Sequence, residues 1–458
     1  MAMRKRKSER QADLWVSSAE MPQAPGHPFY RRMNQLLAEG GFDPYVEGLC
    51  AKFYHDQLGR PSIPPGVYFR MLLIGYFEGI DSERGIAWRC ADSLGLREFL
   101  GGSLSEATPD HSSLCRIRQR LDVETHEEVF TWVLKVLAGY GLLKGKTLGV
   151  DATTLEANAA MRSIVRNDSG DSYDAFLTKL AQASGIETPT REELARIDKK
   201  RKNKASNDDW HNPHDPDAKI TKMKDGRTHL AHKAEHSVDL DTGAIVAVTL
   251  QPADRGDCDS LDQTLDVTIE ALVAVASDQA GVQLAEHLLE ETVTDKGYHS
   301  NRTMADQRAL GIRTYGSEPD RPRRDWEGKH DEQAAVYANR RRIRGRRGKR
   351  LLRKRGELLE RPFAHCYETG GMRRTHLRGH GNILKRLLVH VAGFNLGLLM
   401  RKVFGLGKPR CLQDGLPIAM KILCDALLGG LKATGSCLDA WVRRLEVLPA
   451  RTTLRSAA

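Results

Sequence analysis

Three acidic residues stand at positions where strands and a helix could bring them together. Asp151 follows an apolar run at 147–150, and Asp295 follows the β-branched run Thr292–Thr294. Both runs predict strands of one sheet, because β-branched residues favour extended backbone. Ligands of α/β folds usually lie at the carboxyl ends of strands. Glu360 follows a basic run and is predicted to start a helix, which adds a third carboxylate.

Three carboxylates from distant parts of a chain indicate a centre that cuts phosphodiester bonds. Mg²⁺ takes oxygen ligands, usually one or two carboxylates together with waters and phosphate oxygens. Two such ions can clamp the attacking and leaving oxygens of a phosphoryl transfer. The chain has no Gly-rich phosphate loop, no G-x-S-x-G elbow and no H-E-x-x-H pair, which are the motifs of competing chemistries.

The charge of the chain predicts a polyanionic partner. Its 458 residues carry a formal net charge of +10, and residues 340–355 are dense in Lys and Arg. We interpret this run as a DNA-binding surface, since such density repels itself unless a polyanion neutralises it; a solvated basic helix is the alternative. The residues predicted to contact DNA are Lys296, Arg340, Arg341, Arg342, Arg344, Arg346, Arg347, Lys349, Arg350, Arg353, Arg355, Arg373 and Arg374.

Composition also argues against secreted and membrane classes. The eight cysteines are scattered without a C-x-x-C pair, which argues against a disulfide framework and a zinc finger and indicates a reducing cytosol. The basic segment 1–10 is not followed by an apolar run, so it is not a secretory signal. The apolar segment 383–400 contains charged residues and is predicted to be a buried or amphipathic helix, not a membrane span.

Periodicity predicts an all-α segment followed by a mixed α/β sheet flanked by helices. We divide the chain into a basic arm at 1–27, a helical DNA-binding or assembly domain at 28–141, a catalytic domain at 146–402 with an insertion at about 157–224, and a helical tail at 403–458.

One helix of the N-terminal part carries a row of arginines. Thr108 is its predicted N-cap, with Pro109 at the first helical position. Arg116, Arg118 and Arg120 then either face DNA or form the solvated face of a helical bundle.

The chain resembles bacterial insertion-sequence transposases of the DDE type, in which a helical N-terminal domain precedes a catalytic domain with the RNase H-like fold. The resemblance spans roughly residues 40–402, and its motifs occur in the order expected for these enzymes. Five stretches carry it: 109–112, 149–153, 228–233, 294–298 and 337–379.

The resemblance implies a role for each acid. Asp151 would be the first acid, on the first sheet strand, Asp295 the second, on the fourth strand, and Glu360 the third, on a late helix. It also implies two Mg²⁺ ions, with Mn²⁺ as a substitute, nicking at the ends of a mobile element, and joining to target DNA by the freed 3′-OH. The implied partners are double-stranded DNA and further copies of the chain, in a bacterial cytoplasm on the nucleoid.

The third acid departs from the pattern of the family. Many relatives have an arginine four residues before it and a lysine seven after it, where this chain has Gly356 and Tyr367. Pro362 fits a helix only if Glu360 lies in the first turn. Glu357 and Glu368 therefore remain alternatives.

Two other functions share these features. One is a metal-dependent nuclease that cuts without joining, and the other is a decayed transposase that only occupies the ends of an element.

Overall fold

The computed structural model describes residues 27–409, except 56–61, 103–105, 202–203, 224, 278–283, 321 and 323. The predicted N-terminal arm therefore lies almost wholly outside the described residues, and so does most of the predicted C-terminal tail.

Helices fill the described part of the chain before the sheet. They are α1 (Pro28–Glu39), α2 (Phe42–Cys50), α3 (Pro65–Glu78), α4 (Glu83–Asp92), α5 (Leu94–Phe99), α6 (His111–Arg120) and α7 (Val123–Gly139). The hydroxyl of Ser82 caps α4 by accepting a hydrogen bond from the amide of Gly85, as is typical of a serine N-cap. The prediction of an all-α segment is confirmed.

The start of α6 differs from the prediction. Its N-cap is Asp110, whose carboxylate accepts a hydrogen bond of 2.9 Å from the amide of Ser113. Thr108 is therefore not the cap, because the carboxylate two residues later reaches the orphan amide of the first turn. Arg118 is buried against Glu83 and does not face DNA, whereas Arg116 and Arg120 are exposed.

The sheet is mixed, as predicted. Its strands are β1 (Thr147–Glu156), β4 (Lys219–Lys222), β5 (Thr228–Asp239), β6 (Ile245–Pro252), β7 (Glu291–Thr294) and β8 (Arg313–Gly316); β2 (Val165–Arg166) and β3 (Trp210–His211) form a separate pair. The order is β6-β5-β1-β7-β8, and β4 pairs with the first residues of β5. Strands β1, β7 and β8 are parallel, and β5 is antiparallel to β1 and β6.

Strand β1 is longer than predicted. The sequence predicts a strand at 147–152 with an extended run onward, and the strand continues to Glu156 because β5 pairs with it along this length. Thr153 and Thr154 favour this extension, since β-branched residues suit a pleated backbone. Asp151 thus lies within a strand, just past the part of β1 that pairs with β7.

Helices cover the sheet. They are α8 (Tyr173–Ala183), α9 (Arg191–Lys200), α10 (Asp257–Ala276), α11 (Asn301–Ala309), α12 (His330–Arg344), α13 (Arg346–Phe363) and α14 (His380–Val403). Helix α13 packs on β1, where a Cβ at Gly149 would lie 2.6 Å from Leu359. Helix α14 is long and apolar enough to cross a membrane, but 89% of its apolar window is buried by the protein. It joins α3, α7 and β6 in one hydrophobic core.

Glu360 does not start a helix. It lies in the last turn of α13, on the same helix as much of the basic run, and Pro362 stands two residues later. A proline lacks the amide hydrogen that would bond the carbonyl four residues earlier. Helix α13 ends one residue later, at Phe363, and a π-helical turn, Ala364–Glu368, follows. The prediction of a first-turn position was wrong.

Three buried histidines make the fold sensitive to acid. Burial lowers the pKa of His126 to about 4 and the pKa values of His236 and His390 to about 3. In the unfolded chain these rings take up protons near pH 6.5. Their contribution to stability is therefore fully present above about pH 6.5 and is lost as the pH falls toward the folded-state values. We expect urea unfolding to give a smaller free energy at about pH 5 than at about pH 7; equal values would contradict this prediction.

Candidate active site

Asp151 and Asp295 lie side by side on neighbouring parallel strands. The pairing of β1 with β7 runs from Thr147↔Glu291 to Gly149↔Val293. Asp151 and Asp295 each stand two residues beyond the last pair, so both side chains point to the same face of the sheet. Neighbouring strands lie about 4.8 Å apart. The prediction that the two acids lie on adjacent strands is confirmed.

The Asp151 carboxylate is half-buried and bound to a cation. Its Oδ2 accepts a hydrogen bond of 2.9 Å from Nη1 of Arg355, and its Oδ1 accepts one of 2.9 Å from the amide of Ala152. Burial raises the pKa of Asp151, Arg355 opposes that rise, and the nearby charge of Asp295 adds to it. Negative charge is therefore costly here unless a cation lies close, since burial and a like charge both disfavour the ionised form.

Asp295 is held by the turn that follows it. Its Oδ1 accepts a hydrogen bond of 2.8 Å from the amide of Gly297, at the start of the 3₁₀ turn Lys296–Tyr298. A third carboxylate, Asp257, borders the same space. A Cβ at Gly297 would lie 2.4 Å from Oδ2 of Asp257 and 3.1 Å from Oδ1 of Asp295. Only glycine fits between these two acids.

Sequence reasoning missed Asp257. The signal that could have found it is an acid-rich turn, 252–259, directly after the predicted strand that became β6. Like Asp151 and Asp295, Asp257 follows a run with strand character, and it lies in the first turn of α10. A carboxylate is favourable at that end of a helix dipole.

A buried polar network lies on the face of β5 that packs against α10. Nζ of Lys233 donates hydrogen bonds to Oδ1 of Asp257 at 2.6 Å and to Oγ of Ser260 at 3.0 Å. The carboxylate of Glu235, which is fully buried, accepts hydrogen bonds from Ser260 and from the hydroxyl of Tyr298 at 2.7 Å. The network ties the turn after Asp295 to β5 and α10. Lys233 thus faces the interior and not DNA.

His232 is also an interior residue. It is fully buried, and its Nε2 lies 3.2 Å from Oδ2 of Asp215, which comes from the segment between β1 and β5. His232 and Lys233 therefore both belong to the packed interior of the sheet and not to a DNA-facing surface.

Glu360 lies on the side of α13 that turns away from the β5–β6 hairpin. Lys354 reaches Asp241 of that hairpin at 3.4 Å, and Leu358 lies near Gly243. Residues two positions apart on a helix point in nearly opposite directions. Glu360 therefore points away from the hairpin, on the same exposed side of α13 as Arg353, and the structure does not bring its carboxylate to Asp151 and Asp295.

The alternative acids are engaged elsewhere. Glu357 is exposed and forms an ion pair with Arg361, one turn later on α13. Glu368 forms an ion pair with Arg373. Of the three candidates, Glu360 alone forms no hydrogen bond or ion pair with the residues that the structure describes.

Asp151, Asp295 and Glu360 do not form a complete metal site in the described structure. Within the described residues, no three His, Cys, Asp or Glu side chains lie close enough together to hold a metal ion. Two carboxylates, Asp151 and Asp295, are adjacent, and Arg355 supplies positive charge to the first of them. This pair matches the one or two carboxylates by which Mg²⁺ is commonly bound.

The predicted DNA-contacting cations fall into two groups. One group is engaged within the protein: Arg340 with Glu318, Arg342 with Thr314, Arg347 with Glu291, Arg355 with Asp151, Arg373 with Glu368, and Arg374 more loosely with Glu156. The other group is exposed and makes no ion pair with any described residue: Lys296, Arg341, Arg344, Arg346, Lys349, Arg350 and Arg353.

Comparison with protein-family models gives a match for the N-terminal part of the chain. Residues 18–120 match the family model described as a transposase domain (DUF772). A search of curated proteins found no match. The matched segment contains α1 to α6 and ends before the sheet begins. The match supports a transposase, and hence a DNA-processing enzyme.

Proposed function

We propose that the protein is a DNA transposase of the DDE type, which cuts the ends of an insertion sequence and joins them to target DNA. The observation that carries the proposal is the adjacency of Asp151 and Asp295 on parallel strands, in a chain whose N-terminal part matches a transposase domain. Strands β1, β5 and β6 form an antiparallel meander within the sheet order β6-β5-β1-β7-β8. This topology supports an RNase H-like catalytic domain.

The chemistry of the donors fits Mg²⁺. The half-buried Asp151 and its neighbour Asp295 offer hard oxygen ligands, and Glu360 would complete the set from α13. When bound, two Mg²⁺ ions, or Mn²⁺ in their place, would supply Lewis acids for phosphoryl transfer to water and later to target DNA. Arg355 offsets part of the charge of Asp151 and thereby weakens its repulsion of Asp295.

The residues behind the acids position them. The hydrogen bond from Gly297 to Asp295 fixes that carboxylate, and Tyr298, anchored on Glu235, fixes the turn. Asp257 borders Asp295 but is paired with Lys233, so it buttresses the turn at Gly297 and adds little net charge to the site. We infer that these groups hold the acids at a constant separation while DNA binds and leaves.

The exposed basic face of α13 supports double-stranded DNA as the partner. Arg346, Lys349, Arg350 and Arg353 follow the spacing i, i+3, i+4, i+7, which places them on one side of the helix. That side is opposite Leu351 and Leu359, which pack inward. We propose that this face contacts phosphates of the element ends and target, in a dimer or larger assembly on the bacterial nucleoid.

Removing this face should change the salt dependence of DNA binding. We expect Arg346→Ala combined with Arg350→Ala to reduce the slope of log affinity against log salt by about one unit per lost phosphate contact. Arg340→Ala is a matched control from the same run, because Glu318 already neutralises Arg340, and its slope should change less. Fluorescence anisotropy with a labelled duplex measures both; equal slopes for both variants and wild type would mean that the face is only solvated.

Cleavage of a supercoiled plasmid that carries the element's own ends tests the proposal. Mg²⁺-dependent cutting at the ends, with joined products and no cutting in EDTA, is the expected result. Cutting without joined products would instead assign a nuclease. Tight end binding without cleavage in Mg²⁺ or Mn²⁺ would assign the binding-only function, which the absence of three converging donors among the described residues keeps open.

A further inference from the structure

We propose that a cavity between the start of α4 and the segment after α13 binds a backbone phosphate of the DNA strand that leaves the active site. The cavity measures about 420 Å³, and we call it the phosphate pocket. Its walls are residues 81–84 and His111 from the N-terminal part, residues 371–372 and 374–377, and Ile383 and Arg386 of α14. The inference rests on the proposed function and adds to it a specific DNA-binding site.

Arg386 is the main indication of an anion. Its side chain is buried at 6% exposure and lines the phosphate pocket. Its Nη2 donates a hydrogen bond of 3.1 Å to the carbonyl of Ile80, and it forms no ion pair with any described residue. Burial lowers its pKa to about 10. A buried guanidinium without a carboxylate is costly, and a phosphate would satisfy its remaining donors.

The position of Arg386 is built into the packing. A Cβ at Gly75 of α3 would lie 2.8 Å from Nη2 of Arg386. Any larger residue at that position would therefore displace the guanidinium. Helices α3 and α14 hold it at the wall of the pocket as part of the core, so its orientation does not depend on a mobile loop.

The two acids that line the phosphate pocket have partners, and three arginines of the lining, Arg84, Arg374 and Arg386, outnumber them. Oδ2 of Asp81 lies 2.9 Å from Nε2 of His376, and Glu83 forms an ion pair with Arg118. The cations Arg84 and Arg374 also line the pocket and are exposed. Arg374 has only a distant partner, Glu156 at 3.7 Å. The pocket therefore carries net positive charge, and its cations point at a space large enough for a phosphodiester.

The location of the phosphate pocket matches a strand of DNA that passes over Asp151. Arg373 binds the hydroxyl of Thr153 and the carbonyl of Thr154, and Arg374 pairs with Glu156 at the end of β1. The length of β1 from Asp151 to Glu156 is about 17 Å. Successive phosphates of one strand are farther apart than the axial rise of about 3.4 Å per nucleotide, so the bound phosphate would lie within a few nucleotides of the cut.

The phosphate pocket also joins two parts of the chain in one contact. Asp81, Arg84 and His111 belong to the segment that matches the transposase domain, whereas Arg374 and Arg386 come from the chain that follows α13. DNA bound there would touch both parts at once. Binding of the element end would thus hold the N-terminal helices and the sheet in their observed arrangement.

Neutral phosphate substitution tests the phosphate pocket. Single methylphosphonates are placed along a duplex that carries the element end, and affinity is measured by anisotropy in EDTA, where no cutting occurs. For wild type, we expect a loss of about tenfold at one position within a few nucleotides of the cut, corresponding to one charged contact. Arg84→Ala and Arg374→Ala should each bind unmodified DNA more weakly than wild type does. A methylphosphonate at the sensitive position should then lower the affinity of either variant little further, because the contact is already missing.

Controls separate this inference from the proposed function. Arg31→Ala removes an exposed arginine of α1 outside the pocket and should retain the wild-type profile. Arg386→Lys tests the buried cation, and the two exposed variants preserve the test if it does not fold. If each methylphosphonate lowers the affinity of wild type, Arg84→Ala and Arg374→Ala by the same factor, the proposal that the pocket binds a phosphate is wrong. Absence of cleavage in Mg²⁺, with the phosphate profile intact, would overturn the proposed chemistry alone.

Discussion

Asp295→Asn is expected to lower end cleavage by about 10³-fold while leaving the affinity for the element end nearly unchanged. The asparagine keeps the size of the side chain and can still accept the hydrogen bond from the amide of Gly297. It removes the negative charge beside Asp151, so the site would hold a divalent cation less tightly. Cleavage is measured on a supercoiled plasmid, and affinity by anisotropy in EDTA.

Asp331→Asn is a matched control for this experiment. Asp331 is an exposed carboxylate in the first turn of α12, and its substitution removes the same charge away from the site. We expect it to cut like wild type. Undiminished cleavage by Asp295→Asn would show that Asp295 is not a catalytic acid. Parallel losses of cleavage and affinity would instead indicate that Asp295 contributes to folding or DNA binding.

Lys233→Met is expected to destabilise the fold by about 3–5 kcal/mol. The substitution leaves the fully buried Glu235 without its nearby cation, 3.9 Å away, and deprives Asp257 of its ion pair. A buried charge that loses its partner is strongly unfavourable. The free energy of unfolding, measured in urea, checks the prediction.

Two further variants identify the cause of that loss. Lys222→Met replaces an exposed lysine of β4 and should change stability by less than about 0.5 kcal/mol. Adding Glu235→Gln to Lys233→Met removes the stranded charge and should restore part of the stability, because contacting residues are not additive. If the double variant is no more stable than Lys233→Met, the charge of Glu235 is not the reason.

The sequence predicted the sheet because its signals were local. The strands that became β5, β6, β7 and β8 were recognised from β-branched and alternating residues bounded by turns, and the structure confirms the mixed sheet that they form. Turn residues and the alternation of apolar and polar side chains are set by neighbouring positions in the chain, so they can be read without knowledge of tertiary contacts.

Helix boundaries near charged residues were less predictable. Thr108 and Asp110 are both good capping residues, and only the folded backbone shows that Asp110 reaches the amide of Ser113. Similarly, Pro362 suggested a helix start, whereas the structure uses it in the last turn of α13. In the first turn the missing amide of a proline has no intrahelical partner, whereas in the last turn of α13 it leaves the carbonyl four residues earlier without one. The local preference therefore predicted the wrong end of the helix.

By itself, the sequence determined that Asp151 and Asp295 stand on adjacent strands of a mixed sheet and that the chain is basic enough for a polyanion. Only the tertiary structure decided which cations remain exposed for DNA, that Asp257 borders Asp295, and that Arg386 is buried at the wall of a cavity. Strand propensity and net charge are properties of the chain, whereas an ion pair such as Arg355 with Asp151 joins residues far apart in sequence. Such pairs form only where packing brings the side chains together.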